Sequence, residues 1–256
     1  MASSRLPGKI LAPLADRPLL EQLHARIARS RIDEWWLTTT SDPSDDVTEA
    51  WGFELGLRVH RGRDSDRLSR FVAIAAQTRA DWIVRVLADH PFIDAQLIDV
   101  LLEARDSNLE GKRADLLCHR TGPANGEERT SGAEPMLSPA LPLGYDVQLI
   151  RRGALDRAAR ETASTPLSHQ RTHVTSWLDA NGNVYAVPTP AEWPDRSDWR
   201  WTLDTYQDLA MARSAFRLFG ADAHRIDYPA MVALLDAHPE IIAMNAQLPE
   251  RPIAFG

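Results

Sequence analysis

The 256 residues carry 29 lysines and arginines against 36 aspartates and glutamates, a net charge of −7. That balance offers no large positive field to a phosphate backbone, which argues against a bulk nucleic-acid binder but not against a local anion site. Cys118 is the single cysteine, so an intrachain disulfide and a cysteine-rich metal cluster are excluded, and no apolar run approaches the length of a membrane span. The first residues lack a signal-peptide core, and the expectation is a cytoplasmic protein. Apolar content of 44% over this length suits one large α/β domain, read as residues 1–256.

In chain order, Ser3-Ser4-Arg5-Leu6-Pro7-Gly8-Lys9 sets two cations around a Pro-Gly turn. Glycine permits close backbone approach, and Arg5 and Lys9 suit a polyphosphate; a basic, flexible terminus explains the same residues. Pro18 suits a helix start, with Leu20, Leu23 and Ile27 on one face. Trp35 to Thr39 reads as a strand ended by Ser41-Asp42-Pro43. A weaker helix over 45–55, with Gly52 inside, and a strand over 57–60 follow. Leu68, Phe71, Val72 and Ala75 mark the next helix. Trp82 to Leu87 is a nearly unbroken apolar run, as in a strand covered on both faces. Arg85 interrupts it and needs a carboxylate or a ligand anion as partner. Asp94 caps a helix carrying Leu97, Ile98, Leu101 and Leu102. Residues 119–139, rich in Gly, Pro, Ser, Thr and Glu, read as a mobile loop. A strand over Tyr145–Leu149, a helix over Ala154–Glu161, a polar stretch from His169 to His173, a last strand over Trp199–Leu203 and helices over Thr205–Phe219 and Tyr228–Ala237 complete the reading. The alternation predicts a parallel, doubly wound sheet, which binds ligands beyond the carboxyl ends of its strands.

Two aspartates follow apolar strands directly, Asp89 and Asp204. Converging there, they suit Mg²⁺, which takes one or two carboxylates plus substrate phosphates. The competing readings are a turn before Pro91 for Asp89 and helix capping for Asp204, since Thr205-Tyr206-Gln207-Asp208 has the form of a capping box. Asp146 is an acid in an apolar strand, explained by a site or by a solvated edge. His173 is more often a surface or core residue and lacks zinc-site spacing. Trp199 and Trp201 alternate around Arg200 and read as core.

Taken together, Ser3 to Lys9, Thr38-Thr39-Thr40, His60-Arg61-Gly62, Arg85 to Asp94, Gly144-Tyr145-Asp146-Val147, Thr172 to Thr175, Trp199 to Thr205 and Met231 to Glu240 resemble the cytidylyltransferases of the spore-coat polysaccharide biosynthesis protein F type. These are similar to the acylneuraminate and 3-deoxy-manno-octulosonate enzymes. The resemblance implies a nucleotide-diphospho-sugar transferase fold: α/β, a mixed, mostly parallel sheet, helices on both faces. It implies activation of an acidic sugar with CTP and release of pyrophosphate, for surface polysaccharide. Arg5 and Lys9 would serve the triphosphate, and Asp89 and Asp204 would hold Mg²⁺. Thr38, Arg63, Asp66 and Arg67 would lie on the base side, with Arg85 in the nucleotide set. Asp146 and His173 would face the sugar. Residues 163–194, with Trp177, Tyr185 and Trp193, are the candidate segment for a homodimer.

The family begins with an apolar strand ending in Gln-Ala-Arg, whereas Met1 falls where the following loop starts. The expectation is a sheet lacking its first strand beside Trp82–Leu87, with Arg5 and Lys9 loosely held. His90 replaces the usual cysteine and Tyr206 the usual proline. The alternatives are a related transferase or glycosyltransferase using another nucleotide-sugar, and an N-terminally truncated, inactive homologue.

Overall fold

A computed structural model of the chain describes residues 5–119, 140–165 and 169–248. The predicted loop over 119–139 therefore lies outside the described residues, apart from His119. A short antiparallel pair, β1 (Pro13–Leu14) and β2 (Arg17–Pro18), leads into α1 (Leu19–Ile27). β3 (Trp36–Thr40), α2 (Asp46–Glu54) and β4 (Arg58–Gly62) form a crossover in which the two strands run parallel. Next come α3 (Arg67–Thr78), β5 (Trp82–Arg85), α4 (Ala95–Ser107), α5 (Leu109–Arg113) and β6 (Leu116–Cys118). β7 (Gln148–Arg151), α6 (Arg152–Glu161), α7 (His169–Thr172), α8 (Ser176–Asn181) and β8 (Val184–Ala186) precede the helical end of the chain. That end is α9 (Tyr206–Phe219), α10 (Tyr228–Asp236) and α11 (Pro239–Ile242).

The α/β class holds, but the parallel sheet does not. The larger sheet runs β5-β7-β6-β8, with β7 antiparallel to both neighbours and only β6–β8 parallel. Among the described residues β3 and β4 form a separate pair, and β5 has a ladder on its β7 side only. Trp82, Ile83, Val84 and Arg85 are accordingly half-buried, although the apolar run predicts a fully covered strand.

Side-chain alternation along the strands feeds two cores. Leu117 and Leu149 face a large one built with α1, α4, α9 and α10. Leu116 and Ile150 face a smaller one with α3, α6 and α8. Helices thus cover both faces. Trp201, Tyr145, Phe92, Trp193 and Tyr228 interlock in the larger core, Tyr145 stacking on Tyr228 at 4.9 Å between ring centroids. The tryptophans of the Trp199-Arg200-Trp201 stretch are core, as their spacing predicts.

Two strand assignments shift. The strand predicted over Tyr145–Leu149 begins at Gln148, because Tyr145 turns inward to donate its hydroxyl to Asp94. Trp199–Leu203 is extended but is not a strand. It makes a single parallel bridge, Leu143 with Arg200, beside Gly144. Gly144 has φ +90°, and a Cβ there would lie 2.4 Å from the Thr202 nitrogen, so only glycine permits this approach. In the 163–194 segment, Trp193 is buried in this chain's own core, and Tyr185 accepts a hydrogen bond from Asn108.

Candidate active site

Ser3 and Ser4 lie outside the described residues, and the Arg5–Lys9 part of the loop is pinned from within. Leu6 is buried in the large core, and Gly8 takes a left-handed φ of +69° that turns the chain into a short 3-10 turn starting at Lys9. Lys9 Nζ donates to Asp89 Oδ2 at 2.7 Å, to the Leu203 carbonyl at 3.0 Å and to Asp204 Oδ1 at 3.2 Å. Arg5 Nη2 lies 2.9 Å from the same Asp204 oxygen. The expectation of a loosely held Lys9 is therefore corrected: three acceptors and a buried leucine fix it.

The two aspartates converge, by a different route from the predicted one. β5 ends at Arg85, and Asp89 sits in a turn four residues on. Asp204 follows the extended Trp199–Leu203 segment. The Leu203 amide donates to the Asp89 carbonyl at 2.8 Å, which joins the two carriers through the backbone. Capping does not account for Asp204. Thr205 is the cap of α9, and Thr205 and Asp208 make the reciprocal capping box. Asp204 is left one residue outside the helix, its carboxylate facing Lys9 and Arg5.

A buried network behind Asp204 escaped the sequence reading. Asp208 is 1% exposed and accepts from Arg200 Nε at 2.9 Å, from Asn245 Nδ2 at 2.9 Å and from the Asp204 and Thr205 amides. Arg200 Nη2 reaches Asp204 Oδ2 at 3.3 Å. Burial pushes the Asp208 carboxyl up, but the Arg200 and Asn245 hydrogen bonds outweigh it and hold it below the usual carboxylate range. Asp208 is thus a fixed anion that orients Arg200 toward Asp204. The signal was present as Arg200 between two core tryptophans, an arginine that had to find a buried partner.

His90 is the second addition. Its Nδ1 lies 3.2 Å from Asp146 Oδ1 and its Nε2 3.7 Å from Asp89 Oδ1, so it bridges the predicted metal and sugar acids. Burial lowers the imidazole, but Asp146 and Asp89 outweigh burial and raise it above its ordinary value. At Asp89 burial raises the carboxyl, while His90 and Lys9 more than compensate and lower it. Among the described residues Arg85 pairs with no carboxylate. It donates to the Gln148 side-chain oxygen, and Gln148 in turn donates to Thr175 at 3.3 Å.

The predicted base-side residues form a second group around β3, β4 and the start of α3. Arg63 is exposed in the intervening turn. Arg67 lies 3.6 Å from Asp64. Asp66 is already engaged on both oxygens, capping α3 through the Ser69 amide and pairing with Arg171 at 2.7 Å. Thr38 Oγ1 is buried without a hydrogen-bond partner among the described residues. His173 follows α7 and packs at a tilt against His169, ring centroids 4.3 Å apart; Thr172 and Arg171 tie that segment to Ser65 and Asp66.

Arg5, Lys9, Asp89 and Asp204 therefore make one polar cluster of two cations and two carboxylates. Hard oxygen donors already gathered around a cationic ammonium fit Mg²⁺. Among the described residues no group of three or more His, Cys, Asp or Glu side chains is placed to hold a metal, so substrate oxygens would have to complete the shell.

Residues 1–116, which carry Arg5, Lys9 and Asp89, match the cytidylyltransferase family model. The first 116 residues thus resemble the cytidylyltransferases. The chain is similar to the spore coat polysaccharide biosynthesis protein SpsF of Bacillus subtilis, at 26% identity over 248 residues, 94% of this chain and 92% of the relative. It is 29% identical over 100 residues to the 3-deoxy-manno-octulosonate cytidylyltransferase of Francisella tularensis subsp. novicida, 39% of this chain and 40% of that enzyme. Its fold matches a cytidylyltransferase from Leptospira borgpetersenii serovar Hardjo-bovis with a TM-score of 0.78 and 24% identity, over 98% of this chain and 95% of that one. These similarities mark the protein as a nucleotidyltransferase. Among its described residues, no helix is long and apolar enough to cross a membrane.

Proposed function

We propose that this protein is a cytidylyltransferase that transfers CMP from CTP to an acidic sugar, releasing pyrophosphate, in surface polysaccharide synthesis. The observation that carries the reading is Lys9, held between Asp89 and Asp204 with Arg5 alongside. The relation to SpsF supports the polysaccharide role, and the relation to the 3-deoxy-manno-octulosonate enzyme supports an acidic sugar.

The triphosphate brings several negative charges to a cluster whose cations are at present neutralised by carboxylates. Lys9 and Arg5 exchange those carboxylates for phosphate oxygens, as charge-assisted donors. Asp89 and Asp204 are then free to hold Mg²⁺, which when bound would neutralise phosphate charge and stabilise the attacking and leaving oxygens. A sugar oxygen attacks the α-phosphorus, and the bond to the bridging oxygen of pyrophosphate breaks. The rest of the task is positioning: Asp208 and Arg200 hold Asp204, and His90 holds Asp89 and Asp146 in one arrangement.

Pyrophosphate release is the test. The protein is incubated with Mg²⁺, each of the four ribonucleoside triphosphates, and a panel of sugars with and without a carboxylate. Release with CTP and a carboxylated sugar is expected. Equal release with ATP, GTP or UTP, or a strict requirement for a neutral sugar, would overturn the reading.

A further inference from the structure

Arg70 is 5% exposed, yet among the described residues none of its guanidinium N–H groups makes a hydrogen bond, and its Nε is fully shut off from solvent. A buried cation without acceptors is costly, and such groups call for a specific explanation. The carboxylates around it face other partners, and Asp64 lies 3.6 Å from Arg67. Asp66 is held by Arg171 and the α3 cap, and Asp45 accepts from Thr39 and Thr40.

Its location follows from the strand pleat. Gly52 of α2 packs on Leu37 and Val59, so the alternate residues Thr38, His60 and Gly62 face the other side. On that side Arg70 lies directly against Gly62, where a Cβ would come within 2.6 Å of the arginine Cγ. Thr38 and His60 are paired across the strands, and the Thr38 hydroxyl is itself buried without a partner among the described residues. The Arg70 charge adds to burial in lowering the His60 imidazole. Asp66, the cap of the helix that carries Arg70, pairs with Arg171 of α7, and Thr175 just beyond α7 is joined through Gln148 to Arg85 at the end of β5, the strand that leads to Asp89.

Resting on the CTP reading above, we infer that Arg70 is the base-selecting residue, its guanidinium fork taking the N3 and O2 acceptors of cytosine beside the Thr38 hydroxyl. The chemistry discriminates sharply. Cytosine presents two adjacent acceptors to a planar fork of donors. Uracil carries a proton on N3, so the same fork would face a donor and leave a buried N–H unpaired. A narrow, buried fork also suits a flat base edge, while Arg5 and Lys9 already serve phosphate.

The test is equilibrium binding of CTP and UTP, each with Mg²⁺, to the wild type, Arg70→Met and Arg70→Lys, with thermal unfolding of all three. The wild type should favour CTP. Arg70→Met should lose at least about tenfold in CTP affinity, change little toward UTP, and unfold at the same temperature or higher, because it removes an unpaired buried charge. Arg70→Lys keeps the charge but not the fork, and should also lose most of the preference. A CTP preference unchanged in both variants overturns the Arg70 assignment and leaves the CTP reading standing. A lower melting temperature in both variants with the preference intact makes Arg70 structural and likewise overturns it. Equal binding of CTP and UTP by the wild type overturns the CTP reading and this assignment with it.

Discussion

Asp89→Asn and Asp204→Asn should each lower kcat by about 100-fold or more, the scale of losing one preorganised charge at a reacting phosphate or oxyanion. The amide keeps the size of the carboxylate, and both positions lie at the rim of the core, so the fold should survive. Their side chains are 27% and 17% exposed, and each contacts Lys9. At Asp204 the substitution also removes the charge that faces Arg5 and Arg200. Steady-state pyrophosphate release, read beside a thermal melt, checks the claim. Full turnover in either variant would exclude that residue from the mechanism.

Arg26→Met should destabilise the protein by about 3–5 kcal/mol, the cost typical of breaking a buried charged network. Arg26 is 1% exposed and donates to the Phe92 carbonyl at 3.0 Å, the Ile93 carbonyl at 3.1 Å and the Ile226 carbonyl at 3.0 Å, with a further bond to Ala223. Methionine fills much of the space but leaves those carbonyls buried without donors, and each orphaned group costs about 1–3 kcal/mol in isolation. Phe92 and Ile93 closely follow Asp89 and His90, so the loop that carries the site rests on Arg26. Urea unfolding measures the effect, and a loss under about 1 kcal/mol would show that the carbonyls find other partners. Arg26 and Arg70 make opposite cases: one buried guanidinium is saturated by backbone, the other has no acceptor among the described residues.

Elements with strong local signals were legible in the sequence. α1, α3, α4, α9 and α10 all fall where apolar spacing and caps put them, Asp94 and Thr205 serving as caps as read. Strand direction was not legible. The alternation of strands and helices suggests parallel pairing, but β7 enters from outside that alternation and runs antiparallel between β5 and β6. Nothing local to Gln148–Arg151 encodes that direction. β6 and β8 have three residues each, too few for a period to show. At the site, Arg5, Lys9, Asp89 and Asp204 were legible because chemistry and chain position coincide in them. Asp208, Asn245 and His90 were not. Asp208 looked like an ordinary cap residue, Asn245 lies in a featureless turn, and His90 gains its meaning only from Asp146, 56 positions on. Arg70 was hidden for the opposite reason: an arginine within an amphipathic helix looks like a solvated one.

A crystal structure of the protein with CTP and Mg²⁺ tests the central claim most directly. The account predicts that Lys9 leaves Asp89 and Asp204 and joins Arg5 on the triphosphate, with the two carboxylates turned to the cation. A triphosphate bound elsewhere, with Lys9 still bridging Asp89 and Asp204, would contradict it.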